Sequence, residues 1–315
     1  MTEFPTVRVA AVQATPVLLD AEATVDKAVE LVEKAATDGA RLAVLPECFV
    51  SAYPSGAWGA VAAQFGGADE LWERLWASSV DVSGPHVQHL VDACRRNEMH
   101  VVIGVNERED VRPGSLYNTM LLLGPDGVLL RHRKTMPTMH ERVFYGIGAG
   151  DDLRVVDVPG VGRVGGLICW ENRMPLARWA LYQGGPQVWV APTADDSDSW
   201  QASMRHIAIE AGAFVISVPQ YLPRSAFPDD FPADIGEADC LGRGGAVVID
   251  PMGTVIGGPL YDEEGMVVAD CDLRVGLRAK RWFDSVGHYS RPDLFPPAAA
   301  DRHEAVDSPV AAPDV

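Results

Sequence analysis

The chain has 315 residues, of which 47% are hydrophobic, so it can bury a sizeable core as one large domain or two ordinary ones. Its 26 Lys and Arg residues against 44 Asp and Glu residues give a formal net charge of −18, which argues against nucleic acid and anionic membranes as partners. No run approaches the roughly 18 apolar residues of a membrane span, and the first residues lack a secretory signal pattern. The cytoplasm is therefore the expected compartment.

Strand and helix patterns alternate along most of the chain, which indicates an α/β fold. Ser83 is expected to cap one helix ahead of Pro85 in its first turn, and Gly39 to follow the end of another. The predicted elements are, in chain order, strand 7–14, helix 25–36, strand 42–45, helix 83–98, strand 101–105, hairpin strands 116–123 and 128–131, strand 161–168, helix 175–183, strand 188–191, helix 200–211, and strands 214–218, 245–250, 254–256 and 266–271.

Two segments, 55–76 and 222–239, interrupt this regular spacing. Loops of such length are commonly functional or interaction elements. The end of the chain is rich in Ala, Pro and Asp without periodicity, which predicts a flexible tail. We therefore expect one domain over residues 1–297 and a tail over residues 298–315.

The cysteines lie far apart without a CxxC pair, which predicts free thiols: Cys48, Cys94, Cys169, Cys240 and Cys271. Cys169 differs from the others because it follows an apolar strand and precedes Pro175, a good first residue for the next helix. A strand-to-helix turn can expose a nucleophile and direct backbone N–H groups at it. On this context alone, a buried core thiol remains an equal alternative.

Glu47 and Lys134 also occupy positions suited to chemistry. Glu47 ends a predicted strand, and the carboxyl ends of strands are where open α/β folds build their sites. Lys134 closes a basic run in an otherwise acidic chain. The alternatives are a solvated loop acid and a charged edge strand.

These three residues fall in segments that resemble, in chain order, the signature blocks of the nitrilase superfamily, and most closely those of true nitrilases. The principal blocks are Leu45-Pro46-Glu47, Arg131-His132-Arg133-Lys134-Thr135-Met136-Pro137-Thr138 with His140-Glu141-Arg142, and Gly166-Leu167-Ile168-Cys169-Trp170-Glu171-Asn172. Supporting blocks include Leu116-Tyr117-Asn118-Thr119 and Ala191-Pro192-Thr193-Ala194-Asp195, and the resemblance extends from about residue 7 to residue 295.

The resemblance implies a single-domain, four-layer α-β-β-α sandwich with a Glu-Lys-Cys triad. Cys169 would be the nucleophile, Glu47 the general base and Lys134 the group that stabilises charge on nitrogen, with Glu141 as a second carboxylate. The Cys-Trp-Glu sequence favours the nitrilase branch over the amidase branch. Residues expected to border the substrate, with ordinary packing as the alternative, are Tyr53, Trp170, Arg173, Trp189, Thr193 and Ala194.

The implied function is hydrolysis of organic nitriles to the carboxylic acid and ammonia through a cysteine thioimidate and thioester. The alternatives are an amidase or ω-amidase-like hydrolase with the same triad, and an inactive family member that serves as an interaction module. No cofactor or metal is expected, because the sequence has no dinucleotide or Walker A motif and His86 and His89 lack a third ligand. The resemblance also implies a homodimer formed through helices that flank the cysteine, with higher oligomers or spirals in some nitrilases.

Overall fold

The strands and helices alternate along the chain as the sequence indicates. A computed structural model of the chain describes residues 4–54, 69–109 and 111–295. The strands are β1 Thr6–Gln13, β2 Leu42–Val44, β3 His100–Arg108, β4 Leu116–Gly124, β5 Gly127–Arg133, β6 Val156–Val158, β7 Gly162–Gly166, β8 Val188–Thr193, β9 Phe214–Pro219, β10 Tyr221–Pro223, β11 Cys240–Ile249, β12 Val255–Tyr261 and β13 Gly265–Asp272. The α-helices are α1 Ala21–Thr37, α2 Asp69–Ala77, α3 Pro85–Asn97, α4 Glu141–Phe144, α5 Pro175–Tyr182, α6 Asp198–Ala211 and α7 Arg274–Trp282, and 3₁₀ turns lie at Cys169–Arg173 and Arg224–Ala226.

The strands form two mixed sheets. The first has the order β13-β1-β2-β3-β4-β5, and the second has the order β10-β11-β9-β8-β7-β6 with β12 paired to β11. Each sheet has a parallel centre, β1-β2-β3 in the first and β7-β8-β9 in the second, and antiparallel strands outside it. The two sheets thus have similar centres, and β13, from the second half of the chain, completes the first sheet.

Three apolar layers hold the sheets and helices together. The alternation of side chains along β1 shows how: Val7, Val9 and Ala11 pack between the two sheets, whereas Ala10 and Val12 pack against α1 and α3. In the same way, alternate residues of β8 face the first sheet or the helices α5 and α6. The resulting order of helices, sheet, sheet and helices is a four-layer α-β-β-α sandwich, which confirms the predicted fold class.

The structure changes several details of the predicted elements. Ser83 does not cap α3: the N-cap is Gly84, and the Ser83 hydroxyl bonds to Asp81 Oδ1 at 2.8 Å. The long segment 55–76 contains part of α2, and its residues 55–68 lie outside the described part of the chain, as does the predicted tail over residues 298–315. None of the helices in the described ranges has the length and apolar character needed to span a bilayer.

The other long segment, 222–239, is mostly irregular but packs on its own chain. Its apolar side chains, among them Phe227 and Ile235, form a small cluster with Leu18, Ala52 and Leu71. Burial of these groups fixes the irregular segment against Leu18, which precedes α1, and against Leu71, which lies in α2.

Candidate active site

Three of the predicted catalytic residues follow strands that end at one edge of the sandwich. Glu47 follows β2, Lys134 follows β5 and Cys169 follows β7. Because β3, β4 and β5 pair antiparallel in turn while β2 and β3 are parallel, β5 runs in the same direction as β2. The carboxyl ends of β2 and β5 therefore lie at the same edge of the first sheet, and such edges are where α/β folds place their sites.

Lys134 lies between two carboxylates inside the protein. Its Nζ donates to Oε1 of Glu47 at 2.8 Å and to Oε1 of Glu141 at 2.9 Å, and all three side chains are fully buried. Burial by itself lowers the pKa of Lys134, but the negative charges of Glu47, Cys169 and Glu141 outweigh it and raise that pKa well above the usual range. Lys134 is thus held as an ammonium group that can donate hydrogen bonds to a developing anion.

Glu47 is oriented by hydrogen bonds to both of its carboxylate oxygens. Asn118 Nδ2 donates to Oε1 at 2.7 Å, and the backbone N–H of Ala194 donates to Oε2 at 2.8 Å. Burial raises the pKa of Glu47, Lys134 opposes that shift, and Glu141 adds to it. A fixed carboxylate with a raised pKa is well suited to accept a proton from a thiol or a water.

Glu141 has its own set of partners at the start of α4. The Tyr53 hydroxyl donates to Oε1, and the backbone N–H of Thr138 donates to Oε2 at 2.9 Å. Burial raises the pKa of Tyr53 well above its ordinary value, so the phenol stays a donor. Tyr53, predicted as a pocket residue, therefore contacts the second carboxylate directly.

Cys169 begins the 3₁₀ turn after β7 and has a left-handed backbone with φ of 48°. Side chains in this region carry about 1–3 kcal/mol of strain, which the surrounding structure must hold. The sulfur accepts a hydrogen bond from Thr193 Oγ1 at 3.1 Å. Burial, together with the negative charge of Glu47, raises the pKa of the thiol to about 12, although Lys134 and Thr193 act in the opposite direction. The resting group is a neutral thiol, which needs a base in order to attack.

Glu171 connects the turn that carries Cys169 to the residues that follow Lys134. Its Oε2 accepts from the backbone N–H of Ile168 at 3.0 Å, and its Oε1 accepts from both the N–H and the hydroxyl of Thr135 at 2.6 Å. Ile168 precedes Cys169 and Thr135 follows Lys134, so one buried carboxylate fixes the segments that carry both groups.

A buried histidine supports this carboxylate. His132 lies between Glu171, whose Oε2 is 3.0 Å from Nε2, and Asp152, whose Oδ1 is 2.8 Å from Nδ1. Burial lowers the pKa of His132, but the hydrogen bonds and negative charges of the two carboxylates raise it overall to about 9. The ring is therefore an imidazolium at neutral pH, with both nitrogens donating.

The outer side of the site carries Trp170 and Arg173. The Trp170 side chain is partly exposed, and its Nε1 donates to Asp195 Oδ2 at 2.8 Å. Arg173 donates to the same oxygen at 3.0 Å, and its guanidinium lies 5.1 Å from the centre of the Trp170 ring. Both predicted pocket residues thus form one cluster on Asp195 beside the cysteine turn.

The remaining predicted pocket residues lie in different surroundings. Thr193 contacts the sulfur and Ala194 contacts Glu47, so both lie at the site. Trp189 does not: it packs in the apolar layer between the second sheet and α5 and α6, and its Nε1 donates to Asn172 Oδ1 at 2.8 Å. Trp189 lies near the start of β8, whereas Thr193 ends that strand at the site, so the contacts of Trp189 are those of ordinary packing.

The structure adds Asn118, His132 and Glu171 to the residues around the site. All three fall in blocks that carry the family resemblance, and that position was the available signal. Residue patterns do not assign their contacts, since Glu171 and His132 are separated by 39 residues, with His132 in β5 of the first sheet and Glu171 in the turn that follows a strand of the second.

Comparison with known proteins now places this geometry in a family. Residues 8–280 match the model described as carbon-nitrogen hydrolase. The chain belongs to the carbon-nitrogen hydrolase family. The predicted membership of the nitrilase superfamily is thereby confirmed.

Two relatives and one solved structure show how far the likeness of this hydrolase extends. Nitrilase 1 of Arabidopsis thaliana is 45% identical over 301 residues, covering 92% of this chain and 86% of the relative. The bifunctional nitrilase/nitrile hydratase NIT4B of Nicotiana tabacum is 42% identical over 300 residues, covering 92% and 85%. The crystal structure of Saccharomyces cerevisiae Nit3, a member of branch 10 of the nitrilase superfamily, superposes with a TM-score of 0.72 at 20% identity over 91% of this chain and 97% of that one, which supports the fold.

Candidate metal ligands form no ion site in the described part of the chain. Within residues 4–54, 69–109 and 111–295, no group of three or more His, Cys, Asp or Glu side chains is arranged to hold an ion. His89 instead lies on α3 near Asp26, with 3.5 Å between Nδ1 and Oδ1. That the reaction needs no cofactor stays a prediction.

Proposed function

We propose that this hydrolase converts organic nitriles to the carboxylic acid and ammonia, with Cys169 as the nucleophile. The observation that carries the proposal is the buried cluster of Glu47, Lys134 and Glu141 around the Cys169 turn, in a chain 45% identical to a protein named nitrilase. A nitrile carbon is a modest electrophile, so a thiolate formed on demand by an adjacent base suits it.

The first step uses the groups that surround the sulfur. Glu47 takes the thiol proton as the sulfur attacks the nitrile carbon, and negative charge develops on the nitrile nitrogen. The Lys134 ammonium stabilises that charge and supplies a proton, which leaves a neutral thioimidate on Cys169. The proton on Glu47 then restores Lys134 through the 2.8 Å hydrogen bond between them.

The second step adds water to the thioimidate. Glu47 accepts a proton from the water, Lys134 gives a proton to the thioimidate nitrogen, and the proton on Glu47 then restores Lys134. The product is a tetrahedral carbon that bears a hydroxyl, an amino group and the cysteine sulfur. Loss of ammonia gives a thioester, which a second water hydrolyses to the carboxylic acid and the free thiol. Loss of the thiolate instead releases a carboxamide.

The relatives bear on the choice of substrate. The Nicotiana tabacum relative is named as both nitrilase and nitrile hydratase. These two names match the two ways in which the tetrahedral intermediate can break down, by loss of ammonia or by loss of the thiolate. An amidase would use the same residues on a carbonyl carbon, so the test must separate the two substrates directly.

The test is a panel of aliphatic, aromatic and arylacetonitrile substrates, each beside its matching carboxamide, with ammonia and organic products measured. We expect ammonia and acid from nitriles at rates well above those from amides. Turnover of amides without turnover of nitriles would overturn the proposal in favour of an amidase. Failure of both panels, with no labelling of Cys169 by a thiol-directed electrophile, would favour the interaction module.

The surface beside the cysteine turn supports self-association of this hydrolase. Leu176 at the start of α5 is 79% exposed, and Trp282 at the end of α7 is 72% exposed. A surface groove of about 600 Å³ near them has an apolar lining that includes Trp179, Phe283 and Tyr289. Exposed apolar patches of this kind mark protein interfaces, and we propose a second copy of this chain as the partner.

The state of the thiols supports the cytoplasm as the proposed compartment. All five cysteines are free, and four of them are buried. Free thiols in such number are typical of reducing compartments.

A further inference from the structure

The Thr193 hydroxyl occupies a fixed position beside the cysteine sulfur. Thr193 ends β8 and is fully buried. Its Oγ1 lies 3.1 Å from Cys169 Sγ and accepts a hydrogen bond from the backbone N–H of Asp195 at 2.9 Å. A hydroxyl has one hydrogen, and the N–H of Asp195 can only donate, so the Thr193 hydrogen is free to point at the sulfur.

The backbone around Thr193 is held from several sides, which fixes the direction of that hydrogen. The Thr193 carbonyl accepts from the N–H of Gln220 at 3.1 Å, and the N–H of Ala194 is bound to Glu47. The Asp195 carboxylate accepts from Trp170 and from Arg173. A hydroxyl placed in this way interacts with the sulfur without reorganisation during the reaction.

We propose that Thr193 is a catalytic hydrogen-bond donor to the Cys169 sulfur and that it determines how much of the tetrahedral intermediate leaves as amide. This inference rests on the proposed nitrile hydrolysis, and it names a residue that sets the ratio of amide to acid among the products. The hydroxyl acts on the reacting atom itself, at each step in which sulfur gains or loses negative charge.

The tetrahedral intermediate breaks down by one of two routes, and these routes differ in the charge that develops on sulfur. In the first route, the carbon–nitrogen bond breaks, the proton of the hydroxyl passes to the nitrogen, ammonia leaves, and the sulfur stays neutral in the thioester. In the second route, the carbon–sulfur bond breaks, the electron pair moves to sulfur, Glu47 accepts the proton of the hydroxyl, and the amide leaves. A thiolate accepts a much stronger hydrogen bond than a thioester sulfur, so the Thr193 donor favours the second route, which releases the amide. The same donor favours formation of the thiolate before attack.

The test compares Thr193→Val, which removes the donor at nearly constant volume, with Thr193→Ser, which keeps it. The amide-to-acid ratio from a nitrile turned over by the wild-type enzyme should fall by about tenfold in the valine variant, as expected for loss of a charge-assisted hydrogen bond. The serine variant should keep a ratio close to wild type. Thr24→Val is a matched control, because Thr24 is also buried and its hydroxyl bonds only to backbone groups around the start of α1.

A second measurement separates this inference from the proposed function. The rate of Cys169 alkylation by iodoacetamide across pH should shift to higher pH in Thr193→Val and stay unchanged in Thr193→Ser and Thr24→Val, whatever the substrate of the enzyme. An unshifted alkylation profile, an unchanged or increased amide fraction in the valine variant, or a wild-type enzyme that releases acid alone from nitriles would overturn the inference. Absence of nitrile turnover in wild type with a shifted alkylation profile would instead leave the hydrogen bond in place and overturn the proposed function.

Discussion

Lys134 balances the charge of the buried site. It is the cation that contacts both Glu47 and Glu141, and neither carboxylate is reached by solvent. A buried ion pair contributes little net stability, but removal of one partner leaves an uncompensated buried charge. The residue that stabilises the developing anion in the reaction is therefore also needed to keep two carboxylates inside the protein.

Replacement of Lys134 should affect both stability and activity. We expect Lys134→Gln to lower the free energy of unfolding by about 3–5 kcal/mol and to abolish nitrile turnover, measured by urea denaturation at pH 7 and by ammonia release. Lys27→Gln is the control, since its 2.7 Å pair with Glu264 is partly exposed and such pairs contribute about 1 kcal/mol or less. Equal effects of the two substitutions on unfolding would contradict the charge balance described for Lys134.

Among the secondary-structure elements, β5 and the turn after β7 must keep a fixed distance for the site to work. β5 belongs to the first sheet, and the turn follows β7 of the second sheet. Glu171, which His132 supports, connects the two. Because His132 titrates near pH 9, this link carries its own pH dependence. The pKa of His132 is higher in the folded protein than the usual 6.5, so its contribution to stability is complete below pH 6.5 and declines as the pH rises through about 9.

The His132 contribution can be isolated by difference. Wild type should lose about 3 kcal/mol more unfolding free energy than His132→Gln between pH 6 and pH 10, the linkage value for a shift of this size. Urea denaturation at several pH values measures this difference, and kcat of the wild type should decline over the alkaline part of the same range. Parallel stability profiles for the two proteins would show that His132 is not the imidazolium that supports Glu171.

The sequence predicted the main elements and the position of the site better than the contacts within it. Glu47, Lys134 and Cys169 each follow a strand, and that relation is visible in the order of residues. Short elements such as β6 and β10 span three residues and carry too little periodicity to predict, and α7 buries only Ala279. The hydrogen bond from Thr193 to the sulfur depends on the pairing of β7 with β8, and no local sequence pattern encodes that pairing.

At the scale of the whole molecule, the exposed apolar face around α5 and α7 lies next to the element that begins with Cys169. A second copy bound there would bury Leu176 and would pack against the solvent side of the turn that begins with Cys169. Segment 222–239, in contrast, already packs its apolar side chains on its own chain.

Substitution on this face should change the oligomeric state. Leu176→Glu places a charge on the proposed interface, and we expect it to yield a smaller species than wild type in sedimentation velocity at equal concentration. Val111→Glu is the control, since Val111 is 91% exposed on a loop between β3 and β4. An unchanged sedimentation coefficient for the Leu176 variant would place any self-association on another surface.

The most direct test of the catalytic role of Cys169 is the release of ammonia and acid from nitriles by wild type and by Cys169→Ala, with the folded state of both followed by thermal unfolding. Loss of one buried sulfur is a mild structural change, so we predict similar unfolding temperatures, nitrile hydrolysis by the wild type and no measurable turnover by the variant. Retained nitrile turnover in a folded Cys169→Ala protein would contradict the assignment of Cys169 as the nucleophile.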